Sequence, residues 1–131
     1  MNDLNPKTLC IKYEALNTGY FFSLKWEYNV LLIKQFSDNE NQDEQKIMPS
    51  NEEWEDFWHY LNEINVWDWY EEYIVNCLDS CVDGDEWEVD IIFRDMKVES
   101  HGANSYPPTF REFLKAIEEL TGILIEFIQQ D

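Results

Sequence analysis

"YFFSLKWEY" (residues 20–28) is the stretch that decides how this chain folds. Tyr20, Phe22, Leu24, Trp26 and Tyr28 alternate with Phe21, Ser23, Lys25 and Glu27, a period of two. Successive side chains of an extended chain point to opposite faces, so this spacing predicts a strand with one apolar face. The next run, "VLLIKQF" (30–36), begins just past Asn29, where a tight turn sets it beside the first strand. On the other side of "NTG", Leu9, Ile11 and Tyr13 alternate with Cys10, Lys12 and Glu14, which makes a further strand. "SDNENQDEQK" (37–46) is polar, acidic and aperiodic and reads as a loop, with "KIM" adding a short strand before Pro49.

Two helices follow from a different period. Ser50 and Glu53 form a capping box, each side chain satisfying a free backbone N–H of the other residue. Trp54, Phe57, Trp58, Leu61 and Ile64 then fall on one helical stripe. Near the end of the chain, Phe110, Phe113, Leu114, Ile117 and Leu120 repeat that spacing. Pro107 and Pro108 suit its first turn, and Gly122 suits its C-cap. Between the helices lies a hairpin, with Trp87, Val89, Ile91 and Phe93 alternating with Glu86, Glu88 and Asp90 and turning near Arg94 and Asp95. Met96, Val98 and Ser100 continue it, and "HGANSYPP" (101–108) reads as a loop carrying His101. "ILIEFI" (123–128) closes the chain as a strand or a packed tail.

Residues 66–82 fit two readings. Val66, Tyr70, Tyr73, Ile74, Cys77, Leu78 and Cys81 keep helical spacing and are expected in the core, whereas Trp67 and Trp69 fit a short extended entry. Outside that stripe, one of those two tryptophans is expected to be exposed. The two halves of the chain rhyme, since each runs strands, a polar break with proline, then a helix. The expected fold is a single α+β domain over residues 1–131, with antiparallel strands in one or two sheets and two amphipathic helices on one side.

The 131 residues are enough for one core, and a hydrophobic share of 44% excludes an intrinsically disordered chain. Charge is the outlier: 28 Asp and Glu against nine Lys and Arg leave a formal net charge of −19. That field repels nucleic acids and anionic membranes, and it attracts basic proteins at enhanced on-rates. Lys7, Lys12, Lys25, Lys34, Lys46, Lys97 and Lys115 are scattered along the chain, so no basic patch with interleaved aromatics is visible. "MNDLNPKTLC" has neither a basic n-region nor an apolar h-region, and no apolar run has the length of a membrane span. With three cysteines, Cys10, Cys77 and Cys81, the chain reads as a reduced cytoplasmic protein.

Catalysis finds little support in the residues. His59 and His101 have no nearby Ser or Cys in a nucleophile pattern, and the carboxylates are too numerous for any chosen pair to mean acid–base chemistry. "DSCVDGDEWEVD" (79–90) resembles a calcium loop only superficially. Cys81 stands where an oxygen ligand belongs, Asp90 where a bidentate Glu belongs, and a strand follows instead of a helix. Cys77 and Cys81 lack two further soft ligands for zinc. No enzyme activity, metal or cofactor is expected.

Carboxylates are left as the functional vocabulary, and they crowd against aromatics in "VWDWYEEY" (66–73). The expected partner-binding face is Asp68, Glu71, Glu72, Asp83, Asp85 and Glu86, with Trp67 and Trp69 as aromatic anchors. In length, acidity, lack of catalytic groups and aromatic-rich α+β layout, the chain resembles immunity proteins of bacterial contact-dependent inhibition and related polymorphic toxin systems. "HGANSYPPTFREFLKAIEEL" (101–120) is also similar to a segment of small bacterial proteins. The order of strands, helix, strands, helix is similar to Whirly-like domains, which occur among such immunity proteins. Whirly proteins proper bind single-stranded DNA through basic residues, and this chain lacks them. The resemblance therefore implies a cytosolic inhibitor of one cognate toxin, a basic nuclease of EndoU type or another RNase. Its rivals are an acidic DNA or RNA mimic that inhibits a nucleic-acid-binding enzyme, and an interaction module with no inhibitory role.

Overall fold

The alternation in residues 20–27 becomes a strand as expected, and the other alternating runs join it in one sheet. The computed structural model describes residues 4–15, 19–36, 43–74 and 85–125. In chain order these form β1 (Thr8–Ala15), β2 (Tyr20–Glu27), β3 (Val30–Phe36), β4 (Asp43–Ile47), α1 (Asn51–Glu63), a single 3-10 turn (Val66–Asp68), β5 (Glu72–Ile74), β6 (Asp85–Phe93), β7 (Met96–Ala103) and α2 (Phe110–Thr121). The seven strands lie in the order β4-β3-β2-β1-β6-β7-β5. Every neighbouring pair is antiparallel except β5 and β7, which run parallel. The fold is α+β.

Parity sorts the side chains. Leu9, Ile11 and Tyr13 of β1, Phe22 and Leu24 of β2, and Trp87, Val89, Ile91 and Phe93 of β6 are buried on one face of the sheet. Both helices cover that face. Trp58 of α1 stacks flat on Phe93, with ring centroids 3.9 Å apart, and Trp54 meets Trp26 edge-on at 5.6 Å. Phe110 of α2 packs on Trp87 at 4.9 Å. Phe113, Leu114 and Ile117 are wholly buried beside it. The capping box forms, with Glu53 N–H donating to Ser50 Oγ at 3.1 Å and Ser50 N–H to Glu53 Oε1 at 2.8 Å. Gly122 ends α2 at φ 75°, its N–H reaching Glu118 O at 2.7 Å. Past it, Ile123 and Ile125 are buried as a packed tail.

The structure departs from the periodicity in five places. Tyr28 continues the alternation in sequence but sits with Asn29 in a two-residue turn, at φ 54° and 63°, and is 86% exposed. Two positive φ values give the turn a twist that matches its flanking strands. Residues 43–46, read as loop, belong to β4. This is an edge strand whose Glu44, Gln45 and Lys46 are all exposed, so it has no buried phase to show as alternation. The helical spacing from Val66 to Ile74 makes no helix. Asn65 turns the chain at φ 55°, only a 3-10 turn follows, and Trp69 is extended before β5. Tyr70, expected in the core, is therefore 73% exposed, while Val66 is buried and Tyr73 half-buried. His101 lies in β7 and not in a loop, because that strand runs on through Ala103. Finally, Pro107 and Pro108 precede α2: Phe110 N–H donates to Pro107 O at 3.0 Å, and Thr109 is the N-cap residue. Cys77, Leu78 and Cys81 lie outside the described residues.

Candidate functional site

The second face of the sheet receives the polar phase of every strand. Among the described residues, no helix packs on it. Cross-strand register sets its side chains in rows. One row runs Phe36, Phe21, Glu14, Glu86 and Ala103. The next runs Glu44, Lys34, Ser23, Lys12, Glu88, His101 and Glu72. A third runs Lys46, Leu32, Lys25, Cys10, Asp90 and Glu99.

Two depressions open along β6 on this face. One, of about 390 Å³, is lined by Lys12, Glu14, Phe21, Glu86, Glu88 and His101 among others. The other, of about 240 Å³, is lined by Cys10, Glu71, Glu88, Asp90, Glu99 and His101 among others. They share Glu88 and His101, so together they form one acidic trough. Its polar pairs are Lys97 with Glu99 at 3.0 Å and His101 Nε2 with Glu72 Oε2 at 3.3 Å, the second an ion pair only when the imidazole is protonated. Among the described residues, Glu14, Glu86, Glu88 and Asp90 have no cation within ion-pair distance. Burial pushes the Asp90 carboxyl above its ordinary range, and Glu99 and Glu88 add to the shift while Lys97 opposes it. Its Oδ1 is shut from solvent without a hydrogen-bond partner. Burial likewise raises the Cys10 thiol, against the pull of Lys12 and Lys25, which keeps it protonated and a poor nucleophile. Among the described residues, no group of three or more His, Cys, Asp and Glu has a metal-holding arrangement.

The expected partner-binding residues divide among three places. Glu72 and Glu86 are exposed on the trough face, and Asp68 and Glu71 are exposed on the segment beside it. Tyr70 stands between them, stacked on Tyr73 at 5.6 Å. Its carbonyl accepts the Ser100 hydroxyl at 2.6 Å, which pins this segment to β7. Trp67 and Trp69 are both half-buried with their indole N–H groups satisfied. Trp67 Nε1 donates to Asn62 Oδ1 at 2.8 Å, and the ring stacks on Trp58. Trp69 Nε1 donates to Thr109 Oγ1 at 3.0 Å, with Trp87 and Phe113 edge-on to its ring. These two rings mainly extend the core. Asp85 turns inward. Its Oδ2 accepts the hydroxyls of Tyr13, at 2.7 Å, and Tyr106, which ties the start of β6 to β1 and to the loop before α2. Burial, then the bond to Asp85, raises the Tyr106 phenol. Asp83 lies outside the described residues.

Sequence reasoning did not single out Glu14, Glu88, Asp90, Glu99, His101 or Tyr70 as a site. The signal was present for most of them, as the polar phase of alternating strands. What it lacked was the pairing of β1 with β6, which sets Glu14 beside Glu86 across 72 residues of chain. No protein-family model matches the chain, and neither does any curated protein.

Proposed function

We propose that the protein is a toxin-neutralising immunity protein of a bacterial contact-dependent inhibition or polymorphic toxin system, working in the cytoplasm against a basic nuclease. The observation that carries the reading is the trough in which, among the described residues, Glu14, Glu86, Glu88 and Asp90 have no ion-pair partner and no helix covers the sheet face, bordered by an exposed tyrosine. Each carboxylate can form charge-assisted bonds to Lys or Arg when a cationic partner arrives. The overall field steers a basic toxin inward at high on-rate. Tyr70 then supplies an amphipathic contact of the type that dominates interface energetics. Inhibition is steric and electrostatic: the acidic face takes the place of RNA phosphates in the toxin's cleft.

The test is capture from the native cell by the full chain and by a variant carrying Asp68→Lys, Glu71→Lys and Glu72→Lys. The reading expects one small basic protein with nuclease activity in the wild-type capture, and binding at least about a hundredfold weaker for the variant. Capture of a large nucleic-acid enzyme would replace this reading with a nucleic-acid mimic. Equal affinity of both forms for the toxin would remove these three residues from the interface.

A further inference from the structure

The sheet ends at β4, and among the described residues no strand pairs with its outer edge. Which backbone groups line that edge follows from the turn before β3. Tyr28 and Asn29 make a two-residue turn, so the flanking Glu27 and Val30 exchange both of their backbone hydrogen bonds. Bonding direction alternates along an antiparallel strand. Val30, Leu32 and Lys34 therefore turn their N–H and C=O groups toward β2, and Leu31, Ile33 and Gln35 turn theirs toward β4. Those three face Ile47, Gln45 and Asp43, which bond inward to β3. Glu44 and Lys46 are left with N–H and C=O groups directed outward, where no described strand receives them. Their side chains are exposed, on the open face of the sheet, and neither has an ion-pair partner among the described residues.

Charged residues on an edge, lysine above all, ordinarily discourage a further strand from pairing there. β4 reads "DEQKI" and sets one charge of each sign two residues apart on the same face. Such an edge repels most strands and matches its own sequence reversed. We infer that this edge takes β4 of a second copy, paired antiparallel about a two-fold axis through Gln45. Glu44 of each copy then stands opposite Lys46 of the other. These are the residues whose backbone groups point outward, so each such pair closes two N–H···O=C bonds. The same pairs set carboxylate beside ammonium, a favourable cross-strand neighbour. Lys34 faces Glu44 from β3, so the row across the junction alternates in sign: Lys34, Glu44, then the second copy's lysine. The two Gln45 side chains meet on the axis, and a carboxamide both donates and accepts. Asp43 and Ile47 face each other at the ends of the ladder. Centring the axis on Glu44 or on Lys46 instead would set like charges together, and a slip by one residue would set open face against core face. Charge and backbone direction select the same register. The axis stands perpendicular to the sheet, so the two sheets join edge to edge with both troughs uncovered on one side. The inference is thus independent of the inhibitor reading. The contact is five residues long on each copy, small beside the roughly 800 Å² per partner of a standard interface, so association is weak and reversible.

Amide hydrogen exchange at two concentrations, with sedimentation equilibrium of the full chain, tests it. In dilute solution Gln45 N–H should be protected while Glu44 and Lys46 N–H exchange freely. Near roughly 1 mM the chain should dimerise, and both of those amides should gain protection together. Glu44→Lys alone and Lys46→Glu alone should each weaken the dimer by roughly tenfold or more, because each sets like charges opposite one another twice. Glu44→Lys does so while lowering the net negative charge, which separates local pairing from overall repulsion. Both substitutions in one chain should restore the dimer, and so should an equimolar mixture of the two single variants. An unchanged Tm in dilute solution shows that each variant folds; should one not fold, the exchange pattern of the unaltered chain decides. A chain that stays monomeric near 1 mM overturns the inference. So does protection of Glu44 and Lys46 N–H at every concentration, a dimer that leaves them unprotected, a dimer indifferent to the single substitutions, or a doubly substituted chain that folds and stays monomeric.

Discussion

Asp90 is where the fold and the open face oppose one another. Its carboxyl is pushed up, first by burial and then by Glu99 and Glu88, and one of its oxygens is buried without a partner. A folded-state value above the unfolded one means that the neutral form favours folding. That contribution is fully present below the ordinary carboxylate value and is lost as pH rises through the raised one. The charge on Asp90 therefore opposes folding. Asp90→Asn removes the charge while leaving the polar group in place. It should raise the Tm by about 2–5 °C at pH 7, and thermal scans should show that gain closing as pH falls to about 3. Asp85, five residues earlier, answers the same problem by taking two tyrosine hydroxyls. Alternation sets Asp85 in the inward phase and Asp90 in the outward one, but their neighbours arrive from β1, from β7 and from the loop before α2, which no local pattern shows.

Among the elements, β5 is the one most dependent on others. It has three residues, pairs in parallel with β7 alone, and follows a segment held by Ser100 and by the His101–Glu72 contact. Gly102 makes that pairing geometrically feasible. A Cβ at this position would lie 2.6 Å from Trp87 Nε1, 2.6 Å from Tyr73 O and 2.8 Å from Ser105 O. Two of these are backbone atoms, Tyr73 O in β5 and Ser105 O in the loop after β7, which move only with their chain segments. Gly102→Ala should cost about 1–3 kcal/mol in denaturant unfolding. In hydrogen exchange, protection should fall first at His101 N–H, which donates to Glu71 O at 3.0 Å. The helices depend less on context. The capping box and both apolar stripes were legible because they are local patterns that the core then used unchanged. β5 was not legible, because a three-residue strand that follows an αL turn and an exposed tyrosine carries no period to detect. The same stretch also kept accidental helical spacing.

For the molecule as a whole, the net charge of −19 is a cost that the fold carries under all conditions. Carboxylates on both faces repel one another, and the described cations are concentrated on the open one. Raising salt from low to near-molar concentration should therefore raise the Tm by several degrees, because screening relieves the repulsion. A Tm that falls with salt would mean that ion pairs dominate. The few ion pairs among the described residues, such as Lys97 to Glu99 on β7, are of the surface type worth about 1 kcal/mol at most.

By itself the sequence determined the α+β class, the hairpins, both helices with their buried stripes, and an excess of negative charge with few cations to balance it. These are properties of neighbouring residues or of totals, and no distant contact is needed to state them. Tertiary structure alone decided which polar faces share a surface. Alternation says that Glu14 and Glu86 each point away from the core, but only the placement of β1 between β2 and β6 makes them neighbours. It also decided that "VWDWYEEY" divides as it does: both tryptophans into the edge of the core, Tyr70 and its carboxylates outward. The reason is the same in both cases. Strand order and chain reversals are fixed by which packing buries the most apolar surface without orphaning polar groups, and that is a property of the assembled chain.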